Sequence, residues 1–210
     1  MITYRDEDHS YWDGDRRVIS NTQVLDLAGL CPRYDLIEPW HREAALKIGK
    51  DVEHATLALD RRSPIAKIEE DYGHVMGYVK GWMAFKMEFK FRPLLREFTV
   101  HDPTLDVCTR LDAWGPCKFG EITVQIKTGQ VAPFTEIQTA FEERAVWIHL
   151  NRKKAVKAMA SSPNRWGVEL RADGTYLPKQ FNHEGYRNDI KVFCAAVTVS
   201  RWKLAQGIRI

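Results

Sequence analysis

Apolar positions along the chain recur with two periods, 3.6 and 2, and the points where one gives way to the other predict its elements. Residues 2–19 predict a small hairpin, with Asp13-Gly14 as the turn between Tyr11-Trp12 and Arg17-Val18-Ile19. Ser20 or Asn21 then offers the cap of a helix running to Gly29. Ala45, Ile48, Val52, Ala55 and Leu59 share one face of a helix from Trp40 to Asp60. Pro64 breaks that pattern, and Val75, Val79, Trp82, Met83 and Phe89 mark a second long helix from Ile68 to Phe89. Such an aromatic stripe reads as core before it reads as a platform for bases. Strands are expected at 95–101, 106–114 and 121–128. A helix from Phe134 to His149 follows, with Ile137, Phe141, Ala145 and Ile148 as its core stripe. Trp166 to Phe181 forms a hairpin turning at Asp173-Gly174, and a last helix over 183–205 ends near Gly207. Reduced to its centre, the order is helix, three strands, helix, strand. This is an α/β class chain, read as one domain over 1–210, with no repeat and no low-complexity linker.

Composition narrows the class. With 210 residues, 44% of them hydrophobic and 28% charged, the chain can bury a substantial core, which excludes a disordered or fibrous protein. The net charge of +3 is mild, so a nucleic-acid partner would need the basic residues gathered on one face. The runs Lys86–Arg96 and Arg152-Lys153-Lys154 allow that, although a charge run is usually a solvated face. Cys31, Cys108, Cys117 and Cys194 are scattered without a Cys-x-x-Cys pair, so metal-ligand spacing is absent. No signal-peptide core opens the sequence, and no apolar run nears the roughly 20 residues of a membrane span. The expectation is a soluble intracellular protein with reduced thiols and no membrane partner.

Candidate chemistry concentrates between Arg110 and Gly129. Val107, Thr109 and Leu111 alternate with Cys108, Arg110 and Asp112, and Ile122, Val124 and Ile126 alternate with Thr123, Gln125 and Lys127. Two neighbouring strands would therefore carry Arg110, Asp112, Gln125 and Lys127 on a common face. A strand Asp, a hairpin, then a residue two before a Lys that ends in Thr128-Gly129, followed by a helix carrying Gln138, resembles the PD-(D/E)XK nuclease superfamily, in its RecB-like and phage exonuclease branch. Tyr11–Thr22, Gly49–His54, Asp173–Tyr176 and the Phe193–Trp202 helix also look like phage members, so the resemblance covers most of the chain. It implies a restriction-endonuclease-like αβββαβ core, here with an N-terminal β-hairpin.

The resemblance implies a Mg2+- or Mn2+-dependent deoxyribonuclease, an exonuclease of phage or prophage type, acting on DNA in the cytoplasm of a bacterium or an infected host cell. Magnesium takes hard oxygen ligands and supplies both charge neutralisation and a nucleophilic water. Asp112 would be the direct ligand, with the Ile126 carbonyl a further one. Lys127 would steady the phosphate or the attacking water. Gln138 matches the first residue of the family's Gln-x-x-x-Tyr helix motif, whose last position is Glu142 here. Arg110 could hold a phosphate or form a cross-strand salt bridge. On the first core helix, Glu53 matches an extra metal ligand by spacing and His54 by type; adjacent helical residues point about 100° apart, so one of them faces the metal. Only Cys194 lies late in the chain, which predicts no iron–sulfur cluster. Phage relatives include ring-forming trimers, so a homo-oligomer or a recombination-protein partner stays open.

Gln125 departs from the family, which carries an acid there. Three explanations are open: an engineered isosteric replacement of Glu, an acid that has migrated to Glu142 on the following helix, or a nuclease-fold module that binds DNA or a partner without cutting.

Overall fold

The computed structural model describes residues 2–32, 36–150 and 164–208, so the Arg152-Lys153-Lys154 run lies outside the described residues. Its centre is a mixed, open eight-stranded sheet flanked by helices on both faces. The N-terminal hairpin is a three-stranded meander, β1 (Ile2–Arg5), β2 (Ser10–Asp13) and β3 (Arg16–Ser20), and Gly14 takes the left-handed conformation that the Asp13-Gly14 turn requires. Ser20, rather than Asn21, caps α1 (Asn21–Leu27): its hydroxyl accepts from the Gln23 N–H while the Gln23 side chain accepts from the Ser20 N–H.

Pro39 opens α2 (Pro39–Asp60), where its missing N–H costs nothing. The second long helix is interrupted. It starts earlier than expected, as α3 (Ile65–Tyr72), breaks in a 3-10 turn at Gly73–Val75 and resumes as α4 (Met76–Phe89). Gly73 is the poorest helix former in that run, and at the break His74 Nε2 comes within 2.9 Å of Asp51 Oδ2 on α2. The chain continues through β4 (Leu95–Asp102), β5 (Val107–Cys117), β6 (Gly120–Lys127), α5 (Phe134–His149), β7 (Asn164–Leu170), β8 (Tyr176–Phe181) and α6 (Tyr186–Ala205).

One face of the sheet meets α2 and α4 through Val52, Ala55, Val79, Trp82, Phe85 and Phe89, packed on Ala113, Ile122, Val124 and Val168. The aromatic stripe of α4 is core, as its helical spacing implied: Trp82 and Phe85 are fully buried. Gly77 and Gly81 lie on α4 where a Cβ would strike the carbonyls of Ala172 and Thr175, which lets the β7–β8 turn close onto the helix. The other face meets α1, α5 and α6 through Val24, Leu25, Phe141, Ala145, Phe193 and Val197, packed on Val100, Val107, Leu111 and Trp114. No helix among the described residues is long and apolar enough to cross a membrane.

Candidate functional site

β5 is the strand on which the site is built. One edge pairs with β4 from Val107 to Trp114 except at Asp112; the other pairs with β3 only at Val107 and Cys108 and with β6 only from Ala113 onward. Between those two partners the edge from Thr109 to Asp112 is left open, and β6 turns away to run beside β7, with Ile126 opposite Val168. Asp112 sits at that fork. Its Oδ2 accepts the Ile126 N–H at 2.7 Å, tying the diverging strands together with a side chain in place of a ladder bond. From the other edge Arg96 donates to the Asp112 carbonyl at 2.8 Å and to Thr56 of α2 at 3.0 Å, and pairs with Asp60 at 3.0 Å.

The β4–β5 ladder is itself interrupted at this level. Arg96 pairs with Ala113 and Phe98 with Leu111, but Glu97 and Asp112, which stand opposite each other between them, do not pair. Glu97 has φ of 47°, a left-handed conformation rare for a side chain of its size. The packing phase shifts on both strands here. Leu111 and Trp114 join the α5 side while Ala113 joins the α2 side, and Leu95, Phe98 and Val100 show the matching slip on β4. The interruption turns two carboxylates, Glu97 and Asp112, into one pocket. The pocket is about 310 Å³, and Glu53, Arg110, Gln125, Lys127 and Gln138 also line it, with Tyr4, His9 and Tyr11 of the N-terminal meander at its side.

The expected common face is therefore not flat. Gln125 looks toward α5, where Thr109, expected on the opposite face, joins it: both hydrogen-bond Glu142. Arg110 instead turns toward α2 and bonds Glu53.

Behind Gln125 lies a buried hydrogen-bond network. Glu142 is fully buried, and its Oε1 accepts from Gln125 Nε2 and Gln138 Nε2 at 3.0 Å, Thr109 Oγ1 at 3.3 Å and Asn21 Nδ2 at 3.4 Å. Its Oε2 accepts from Gln125 Nε2 at 3.0 Å. The other end of the Gln125 amide is also used, since Oε1 accepts from Lys127 Nζ at 2.8 Å. Gln125 thus links the lysine facing the pocket to the acid behind it. Gln138 lines the pocket, and its Oε1 is buried and, among the described residues, without a hydrogen-bond partner.

Carboxylates outnumber cations around this space. Burial, then the charges of Asp112 and Glu53, push the Glu97 carboxyl up to about 8, against the pull of Arg110 and Arg96. Burial, then the charge of Asp112, raises Glu142 to about 8, opposed by Lys127 and by the hydrogen bonds of Gln138 and Gln125. Glu143, one residue on, is buried beside Thr123 and Trp147 and raised to about 7, mainly by burial. These shifts set a stability profile. Below the ordinary carboxyl value of 4.5 all three groups hold a proton folded or unfolded; above it the unfolded chain releases protons that the folded one keeps. Stability is then lost as pH rises toward the folded values of about 7 and about 8. In thermal melts the apo protein is expected to melt lower at about pH 8.5 than at about pH 6, and Glu142→Gln to flatten part of that slope. A wild-type midpoint rising over this window would show these acids ionised in the fold.

The structure brings Asp112, Gln125, Lys127, Gln138, Arg110 and Glu53 to the pocket, with Glu142 directly behind. It does not bring His54, whose ring makes an edge contact with Tyr72 at 6.4 Å; of the two neighbours on α2, Glu53 faces the pocket. The Ile126 backbone lies beside Asp112. Sequence reasoning missed Glu97, Thr109 and Asn21. The signal for Glu97 was the adjacent charged pair Arg96-Glu97 at the slip in the alternation of β4. Among the described residues no group of three or more His, Cys, Asp or Glu side chains is placed to hold a metal ion. A scan against models of protein families and a search of curated proteins found no match for this chain.

Proposed function

We propose that this chain is a divalent-metal-dependent deoxyribonuclease of the PD-(D/E)XK type, an exonuclease of phage or prophage kind, with α2, β4–β6, α5 and β7 as its restriction-endonuclease-like core. The observation that carries the reading is the Glu97–Asp112 pair. Like charges directly opposite on neighbouring strands repel, and here both strands leave the ladder to aim them into one pocket beside Lys127. Backbone strain and perturbed carboxylates cluster at functional sites.

The donors fit the ion. They are hard oxygens, and magnesium is held by one or two carboxylates with water and substrate phosphate completing the shell, so a closed protein cage is not required. Asp112 and Glu97 would hold it, with Glu53 and the Ile126 carbonyl as further oxygen donors. Bound there, it would supply charge neutralisation and a water acidic enough to attack at neutral pH. Lys127, whose Nζ donates to Gln125 Oε1 at 2.8 Å, would steady a phosphate with its ammonium. Gln138, which lines the pocket, would contact the water or the phosphate. Glu142 acts from behind, holding Gln125 and Gln138 in position. An amide with both ends engaged supports Gln125 as the residue this site is built around.

One observation favours a second reading, a nuclease-fold module that binds DNA or a partner without cutting: Gln125 places a neutral group where a ligand acid would stand, and Glu142 has no exposure to the pocket. Digestion of end-labelled linear and covalently closed circular DNA with Mg2+ or Mn2+ separates the two. Loss of label from linear DNA with the circle intact is expected; nicking of both would make it an endonuclease, and no cleavage by the folded protein leaves the binding module.

A further inference from the structure

Arg110 is the most heavily engaged cation in the pocket. Its Nε donates to Glu97 Oε2 at 2.8 Å, its Nη2 bonds Glu53 Oε1, its Nη1 lies 3.5 Å from Asp6 Oδ1, and its guanidinium sits 4.8 Å from the centre of the Tyr4 ring. Two of those acids, Glu53 and Glu97, are donors assigned above to the divalent ion. A guanidinium satisfies carboxylates through a planar fork, and as long as it does so their oxygens are committed to it.

We infer that Arg110 is an exchangeable counter-cation: it neutralises Glu53 and Glu97 in the metal-free pocket, gives them up when a divalent ion is bound, and turns its fork to the DNA phosphate. The inference rests on the metal-dependent reading. What supports exchange over a fixed structural bridge is the setting. Arg110 pairs with Thr99 of β4 on one side only, in the stretch of β5 that neither β3 nor β6 covers, and it lines the open pocket instead of being enclosed in the core. Arg165 is the contrast within the same fold: fully buried, it is bonded to the Glu136 and Asn182 carbonyls as well as to Asp189. Arg110 has no backbone carbonyl holding it in place among the described residues, only the face of the Tyr4 ring and carboxylates that a stronger cation can claim.

The test is a calorimetric titration with Mn2+ of the wild type, Arg110→Met and Arg110→Lys, together with DNA binding measured in Ca2+ and in chelator. Removing a competing charge a few ångströms from the ligands is expected to tighten Mn2+ binding about tenfold in Arg110→Met, with Arg110→Lys close to wild type. DNA affinity of Arg110→Met should fall in Ca2+ and stay unchanged in chelator. Equal or weaker Mn2+ binding by Arg110→Met, with a wild type that binds, overturns the exchange and leaves the metal site standing. So does an equal loss of DNA affinity with and without the ion. If no form binds Mn2+, the metal-dependent reading falls and the exchange with it. Should Arg110→Met fail to fold, Arg110→Gln is read in the same way.

Discussion

Asp112→Asn is expected to reduce DNA hydrolysis by about a thousandfold or more, since metal-borne charge stabilisation contributes several kcal/mol to such a transition state. The same variant should melt within a few degrees of wild type, because an asparagine oxygen can still accept the Ile126 N–H that now reaches Asp112 at 2.7 Å. The pairing of those outcomes gives the variant its value: a lost reaction on an intact fold assigns the carboxylate charge, not its shape, to the chemistry. Steady-state cleavage of a labelled duplex and a thermal melt measure both. Undiminished cleavage would move the reaction centre away from the β5–β6 fork.

Gln125→Glu is expected to have the second-largest effect, and on stability first. The substitution removes the amide donor that serves both oxygens of Glu142 and sets a second carboxylate against the first in a site that is almost wholly buried. An uncompensated buried charge costs about 3–5 kcal/mol, which in a chain of this size lowers the melting temperature by roughly 10 °C. The loss should be largest at about pH 8 and shrink at about pH 5, where the two acids can share a proton. The exchange Gln125→Glu with Glu142→Gln should recover most of it, because donor and acceptor simply trade places. A single variant as stable as wild type at both pH values would mean that the amide is not what holds Glu142. The result would then favour Gln125 as a replacement for a natural acid.

Both predictions depend on a geometry that is only partly legible in the sequence. The succession of periods carries the element order, because each element buries one face. Asp13-Gly14 and Asp173-Gly174 carry the hairpin turns, because Gly14 and Gly174 take positive φ values that other residues resist. Asp112, Gln125 and Lys127 are legible through spacing on paired strands. Glu97 is not, since the alternation rule assumes an unbroken ladder and assigns each residue to a face by counting. Where β4 and β5 both slip by one residue at Glu97 and Asp112, the count gives the wrong face beyond the slip. The same assumption places Gln125 and Arg110 together and Thr109 apart, whereas Gln125 shares Glu142 with Thr109. The choice between Glu53 and His54 needs the rotation of α2 about its axis. That is set by how Val52, Ala55 and Ile48 seat on the sheet side, a tertiary quantity. The break at Gly73 shows the limit in the other direction, where apolar spacing continues through a point at which the backbone does not.

The most direct test of the divalent-ion pocket is anomalous diffraction from crystals of the wild type grown with MnCl2. A peak at direct-ligand distance, about 2.1 Å for ions of this kind, from the Asp112 carboxylate, with Glu97 or Glu53 turned toward it and Arg110 moved off them, is the result predicted. A pocket without a peak, Arg110 still bridging Glu53 and Glu97 at millimolar Mn2+, would contradict the account and leave an α/β fold whose central acids serve only the protein itself.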